Sequence, residues 1–150
     1  MANKKNLQKE TALATKREKQ QLTVSERFTN KVIEEFTGGV GEIQLSDFQR
    51  RLAQNYFMAV DIALKTAEVN RQRKSEKWRD PLPVTWENID MQELARDVVT
   101  YARMGLDPAQ KNHINMIPYK NNATKKYDIG FIEGYRGLEL KAVKYGLDVP

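Results

Sequence analysis

At residue 113 the apolar period of this 150-residue chain changes from about four to two. That change constrains the fold more than any other feature. Upstream, Val24, Phe28, Val32 and Phe36 recur every four residues. Phe48, Leu52, Tyr56 and Val60 do the same, continued by Ala63 and Ala67 and widened by Phe57 and Leu64. Met91, Leu94, Val98 and Tyr101 or Ala102 form a third stripe. Spacings of three and four put side chains on one face of a helix. Downstream, Ile114 and Met116 alternate around Asn115, and Tyr127, Ile129 and Phe131 alternate with Asp128, Gly130 and Ile132. A period of two belongs to a half-buried strand. Asn121-Asn122-Ala123-Thr124 between the two runs predicts a turn, and hence a hairpin. Arg136 to Tyr145 reads as a final helix stopped by Gly146. The expected class is α+β: helices packed on a small antiparallel hairpin that is followed by a helix. An isolated hairpin is marginal, so the sheet is expected to be completed by residues beyond 150.

Local signals set the element ends. Thr23-x-x-Glu26, Ser46-x-x-Gln49 and Asp90-x-x-Glu93 each read as a capping box. Thr37-Gly38-Gly39-Val40-Gly41 ends the first helix. It lacks the Gly-Lys-Ser/Thr ending of a P-loop, and Gln44 stands where a dinucleotide fingerprint needs glycine. Asp80-Pro81-Leu82-Pro83 is a rigid break, and Trp86 after it is expected to pack into the domain. Gly105 reads as a left-handed C-cap followed by Pro108. Pro118 is expected at a strand end or edge. Residues 1–22 hold too little apolar surface to order themselves and read as a flexible basic arm; 23–150 read as the folded part.

The net charge of +5 is unevenly spread. Residues 1–21 carry +4, 71–80 carry +3 and 110–150 carry +3, while 22–70 carry −2 and 81–109 carry −3. The basic segments are candidate phosphate-binding surfaces, or simply solvated charged faces. The absence of cysteine excludes disulfides, thiolate metal sites and thiol catalysis. One histidine, His113, excludes a multi-histidine metal centre. The longest charge-free run, Leu52 to Val60, falls far short of the ~20 residues of a membrane span. With no apolar signal core at the N-terminus, the chain reads as soluble and cytoplasmic.

A Ser-His-Asp arrangement would have to use His113, and there is no Gly-x-Ser-x-Gly elbow. Asp128 with Glu139-Leu140-Lys141 loosely matches an Asp…Glu-x-Lys nuclease pattern. There the Glu-x-Lys lies on a strand, whereas here it falls in a helical stretch. Nucleic-acid binding fits better. Residues 110–145 interleave Lys111, Asn112, His113, Tyr119, Lys120, Lys125, Lys126, Tyr135, Arg136, Lys141 and Lys144. Cations and amides suit phosphates, and aromatic faces suit unpaired bases. Arg136 leads this set, because two flanking glycines would let a phosphate backbone approach; pairing with Glu133 or Glu139 is its structural alternative. Tyr135 can serve the core or face DNA. Arg71, Arg73 and Lys74, at the end of the second helix, suit an anion or a neighbouring subunit.

Met104-Gly105-Leu106-Asp107-Pro108, Ile117-Pro118-Tyr119 and Gly134-Tyr135-Arg136-Gly137-Leu138 come in the order and spacing of the RecT/Redβ family of phage single-strand DNA annealing proteins. Residues 90–146 closely resemble its RecT-like branch. Val143 stands where that family often has an arginine, and family members are longer than this chain. The resemblance implies binding of single-stranded DNA and annealing of complements through a duplex intermediate, with no ATP, cofactor or covalent chemistry. It implies a homo-oligomeric ring or filament in a bacterial host, partnered by a phage exonuclease or a host single-strand-binding protein. Two other readings stay open on the residues alone. One is a nucleic-acid-binding module without annealing activity. The other is an oligomeric scaffold whose basic clusters meet acidic partners.

Overall fold

The computed structural model describes residues 22–38 and 45–145, together with Asn6, Gln8 and Lys9. The rest of the expected basic arm, the stretch from Gly39 to Gln44 and the expected stop at Gly146 lie outside the described residues. The element order is α1 (Val24–Thr37), α2 (Asp47–Arg73), α3 (Met91–Arg103), β1 (Ile114–Asn121), β2 (Lys126–Glu133) and α4 (Tyr135–Tyr145). The class is α+β, as the change of period predicts: between residues 22 and 145 the described residues form four α-helices, a short 3-10 turn at Trp86–Asn88 and one two-stranded antiparallel sheet.

The caps form from the residues that predicted them. Thr23 and Glu26 close a reciprocal box on α1, and Ser46 and Gln49 close one on α2. Each satisfies amides that a helix start leaves without partners. Asp90 caps α3 from one side only, accepting from the amides of Gln92 and Glu93. Gly38 and Gly105 end α1 and α3 at φ +58° and +79°, a region glycine enters without steric cost.

Helices α1 and α3 pack against each other and against α2. Phe28 and Val32, Leu52, Tyr56, Val60 and Leu64, and Leu94, Val98 and Ala102 meet in one core. Tyr56 is fully buried and donates its hydroxyl to the Leu106 carbonyl at 2.6 Å. Burial, then the charge of Asp107, pushes that phenol well above its ordinary range. Trp86 packs inward as expected, stacked on Phe57 with centroids 5.2 Å apart. The expected stripe on α2 starts one turn too early, since Phe48 is 58% exposed. Four-residue steps advance about 40° each around a helix. A constant spacing of four therefore winds away: the buried positions run from Leu52 to Leu64, and Ala67 packs partly buried against the core.

The hairpin pairs Ile114 with Glu133 at its open end and Asn121 with Lys126 at its tip. Ile114, Met116, Tyr127 and Ile129 point into the core. Pro118 lies inside β1 rather than at its end. In a two-stranded ribbon both strands are edges, so the missing amide is tolerated. Ile89 makes one parallel bridge to Tyr127 on the outer side of β2. The long side of β1 faces α2 instead.

Candidate nucleic-acid interface

The residues expected to bind DNA fall at the two ends of the hairpin. Lys111, Asn112, His113, Tyr135, Arg136, Lys141 and Lys144 gather at its open end and on α4. Lys120, Lys125 and Lys126 lie at the tip, where Lys120 meets the end of α2. Eight strand residues separate the groups by on the order of 20 Å.

At the open end, the Gly-Tyr-Arg-Gly turn closes on its own chain. The amides of Arg136 and Gly137 both donate to the Asn112 carbonyl, at 3.0 and 3.3 Å, and Gly134 donates to His113 at 2.9 Å. A Cβ at Gly134 would overlap the Asn112 carbonyl, and one at Gly137 the His113 carbonyl. The two glycines therefore admit the 112–113 backbone. The close approach expected of a phosphate backbone is taken by the chain's own carbonyls. Asn112 takes φ +62° to present its carbonyl and donates its side-chain amide to the Tyr135 hydroxyl at 3.3 Å. His113 accepts from the Asp107 amide through Nδ1 at 3.4 Å.

The side chain of Arg136 remains outside this knot. It lies beside the Tyr135 ring, 5.4 Å from the centroid, and 3.7 Å from Glu139, with both partners of the ion pair more than half exposed. Tyr135 is itself exposed. Lys141 is held by Glu133 at 3.1 Å, and Lys144 donates to the Arg103 carbonyl at the end of α3. Lys111, Lys125 and Lys126 are exposed.

Between α2 and β1 runs a groove made of two joined clefts. The first, about 490 Å³, lies between Ile62, Ala63 and Thr66 of α2 and Asn115, Ile117 and Pro118 of β1. The second, about 530 Å³, holds Lys74, Lys77, Trp78, Arg79, Asp80 and Lys120. Ala67 and Asn70 wall both clefts and join them.

The basic end of this groove is fixed by carboxylates that neutralise some of its cations and leave others free. Glu68 accepts from Arg71 Nε and Nη2 at 2.9 and 2.6 Å, from the Val84 amide at 2.7 Å and from Gln72 at 3.1 Å. The Arg71 guanidinium first, and then the Val84 amide, lower the Glu68 carboxyl from 4.5 to about 2. Lys120 pairs with Asp80 at 2.6 Å, which holds that carboxyl below its ordinary range, helped by the Leu82 amide. Arg79 donates to the Gln72 and Lys74 carbonyls at the end of α2. Lys120, expected on DNA, and Arg71, expected on an anion or a neighbouring subunit, are thus taken up by Asp80 and Glu68. Among the described residues, Arg73, Lys74 and Lys77 have no carboxylate within ion-pair distance and are exposed.

The β2 side of the hairpin carries the opposite charge. Asp90, Glu93, Asp97 and Asp128 line a small cleft there with Tyr119. Burial, then the charges of Glu93 and Asp128, raises the Asp97 carboxyl. Tyr119 is exposed but sits on this acidic side, its ring over Gly130. Asp128 is hydrogen-bonded by Asn121 near the tip, while Glu139 pairs with Arg136 on α4 at the other end. No group of three or more His, Asp or Glu side chains among the described residues could hold a metal ion. No helix among them is long and apolar enough to cross a membrane.

The expectation from sequence omits Trp78. It stands 72% exposed at the rim of the basic cleft, with Lys77 Nζ 5.3 Å from its ring centroid. The signal available in sequence was an aromatic set between Lys77 and Arg79 in a basic run.

The fold and groove define a small α+β module with a basic, aromatic-tipped cleft. No family model, no curated protein and no solved structure matches the chain.

Proposed function

We propose that this protein binds single-stranded DNA along the α2–β1 groove and anneals it to its complement without nucleotide or metal. This is the activity of the RecT/Redβ family that its last third resembles. The observation that carries the reading is the groove itself. Its floor is apolar at Ile62, Ala63 and Ile117, and its end offers Lys74 and Lys77 free of carboxylates, with Arg73 exposed nearby on the last turn of α2. Sugars lie against the apolar floor, phosphates meet the cations, and bases face outward. The acidic cleft beyond β2 repels a strand from that side of the hairpin.

Annealing then follows from electrostatics. Neutralised phosphates let a second strand approach, and Watson–Crick pairing selects the complement. The protein supplies no sequence readout. The same reading includes a homo-oligomer that lengthens the groove, a phage exonuclease or host single-strand-binding protein as partner, and action in a bacterial cytoplasm.

The test is annealing of two complementary fluorescent oligonucleotides without nucleotide or metal. The wild-type chain, Arg136→Ala and the double variant Lys74→Gln/Lys77→Gln are compared. Acceleration by the wild type, reduced in both variants, is expected. Four phosphate contacts, by Arg73, Lys74, Lys77 and Arg136, give a log–log salt slope of about −3 for single strands, and the double variant lowers its magnitude by about 1.4. Binding without acceleration would identify a nucleic-acid-binding module of another kind. Affinity that is flat with salt would remove the reading altogether.

A further inference from the structure

The two tryptophans of this chain live in opposite environments. Trp86 stacks on Phe57, meets Phe28 edge-on at 6.1 Å and donates its indole N–H to Asp61 at 3.0 Å. Trp78 leaves 72% of its surface in solvent. A tryptophan is the largest apolar side chain available, so an exposed one on an ordered turn forfeits burial that the fold could have used.

The turn that carries Trp78 is strapped down. The amides of Trp78 and Arg79 both donate to the Ser75 carbonyl, at 2.9 and 3.0 Å. Arg79 then reaches back to the Gln72 and Lys74 carbonyls at 2.9 and 3.0 Å, tying the turn to the last turn of α2. The ring is therefore held out from the rim of the cleft by a fixed support. Lys77 lies against it, within the range of a cation–π contact.

From this placement we propose that Trp78 is a stacking platform for one unpaired base of a bound single strand, at the basic end of the groove. This inference rests on the single-strand reading above and adds to it a base-contacting residue. The surroundings of the ring select this occupant. The centre of a protein-docking patch is depleted of charge, whereas Trp78 shares its cleft with Lys74, Lys77 and Arg79. A flat aromatic face among cations matches a nucleotide, whose base stacks while its phosphate meets the ammonium groups. Stacking accepts any base, so it adds affinity without sequence preference. It also requires an unpaired base, so it favours single strands over duplex.

The test uses a dye-labelled oligothymidylate and an abasic strand of the same length, which keeps the phosphates and lacks the bases. Binding is followed by anisotropy for the wild-type chain, Trp78→Ala, Trp78→Phe and the double variant Lys74→Gln/Lys77→Gln. Trp78→Ala should weaken oligothymidylate binding about five- to a hundredfold and leave the abasic strand unchanged. Trp78→Phe should restore part of the loss. The lysine variant should weaken both strands. Because Trp78 is exposed, Trp78→Ala is expected to keep the wild-type circular dichroism spectrum. Equal effects of Trp78→Ala on the two strands, or none, would overturn the stacking role while leaving the single-strand reading in place. So would a change in sedimentation of the DNA-free protein with no base-dependent loss, which would assign the ring to contact between copies. Failure of the wild type to bind either strand would overturn both.

Discussion

Replacing Glu68 by alanine should unpin the basic end of the groove. Its carboxylate accepts from Arg71 twice, from Gln72, and from the amide of Val84, which is 6% exposed. Removing it strands that buried amide and leaves Arg71 with the Asp80 carbonyl alone. An unsatisfied buried amide costs about 1–3 kcal/mol, and loss of a charged pair in this half-enclosed position adds to it. The depressed Glu68 carboxyl expresses the same bonds in another form. A carboxyl moved from 4.5 to about 2 corresponds to at most ~3.4 kcal/mol. Because the folded-state value is depressed, this stability is fully present above pH 4.5 and is lost as the pH falls toward 2. We therefore expect Glu68→Ala to cost about 3 kcal/mol at neutral pH. That is a fall of roughly 6–12 °C in Tm, or about 1.5 M in the urea midpoint for an m near 2 kcal/mol/M. Glu68→Gln keeps an acceptor for Val84 and should cost about half as much. The assay is urea denaturation followed by circular dichroism, repeated between pH 7 and pH 2.5. The gap between the wild type and Glu68→Gln should close as the pH drops below 4.5. An alanine variant with an unchanged midpoint, or a gap that is constant with pH, would refute the reasoning.

Three further outcomes can be checked with the same equipment. Gly134→Ala and Gly137→Ala each drive a methyl into a backbone carbonyl and should cost about 3 kcal/mol or more, read as a lost or strongly lowered urea midpoint. Lys125 sits at φ +56° in the hairpin turn, so Lys125→Gly should stabilise by about 1 kcal/mol, seen as a raised midpoint. Arg136→Ala removes an exposed 3.7 Å pair and an exposed contact with the Tyr135 ring and should change stability by less than about 1 kcal/mol. A large loss there would mean that the side chain serves the fold.

The helices and strands could be read from the sequence because their signals are local. Thr23, Ser46, Asp90 and Gly105 act within four residues of themselves, and alternation from Ile114 to Phe131 is intrinsic to a strand facing one core. The interface was harder to read because charge is a property of pairs. Lys120 and Asp80 are 40 residues apart, and Glu68 and Val84 are 16 apart. Nothing in the sequence pairs these, so a neutralised cation such as Lys120 looks the same as free ones such as Lys74 and Lys77, whereas Arg71 and Glu68, three apart on one helix, were a pair the spacing offered. The glycines around Arg136 misled for a related reason. Their lack of a Cβ does mark a close approach, but the approaching group is the carbonyl of Asn112 or His113. The sequence alone does not distinguish Trp78, which is exposed, from Trp86, which packs inward.

The junction at Asn112 has a kinetic consequence. One carbonyl holds the amides of Arg136 and Gly137, while the neighbouring His113 carbonyl holds Gly134. Fraying the open end of the hairpin therefore breaks the first turn of α4, and unwinding α4 releases β1. The two elements should open as one cooperative unit. In hydrogen–deuterium exchange, the amides of Gly134, Arg136 and Gly137 would share a single opening free energy with the strand residues near Ile114, although they sit at the start of a short helix where exchange is ordinarily fast.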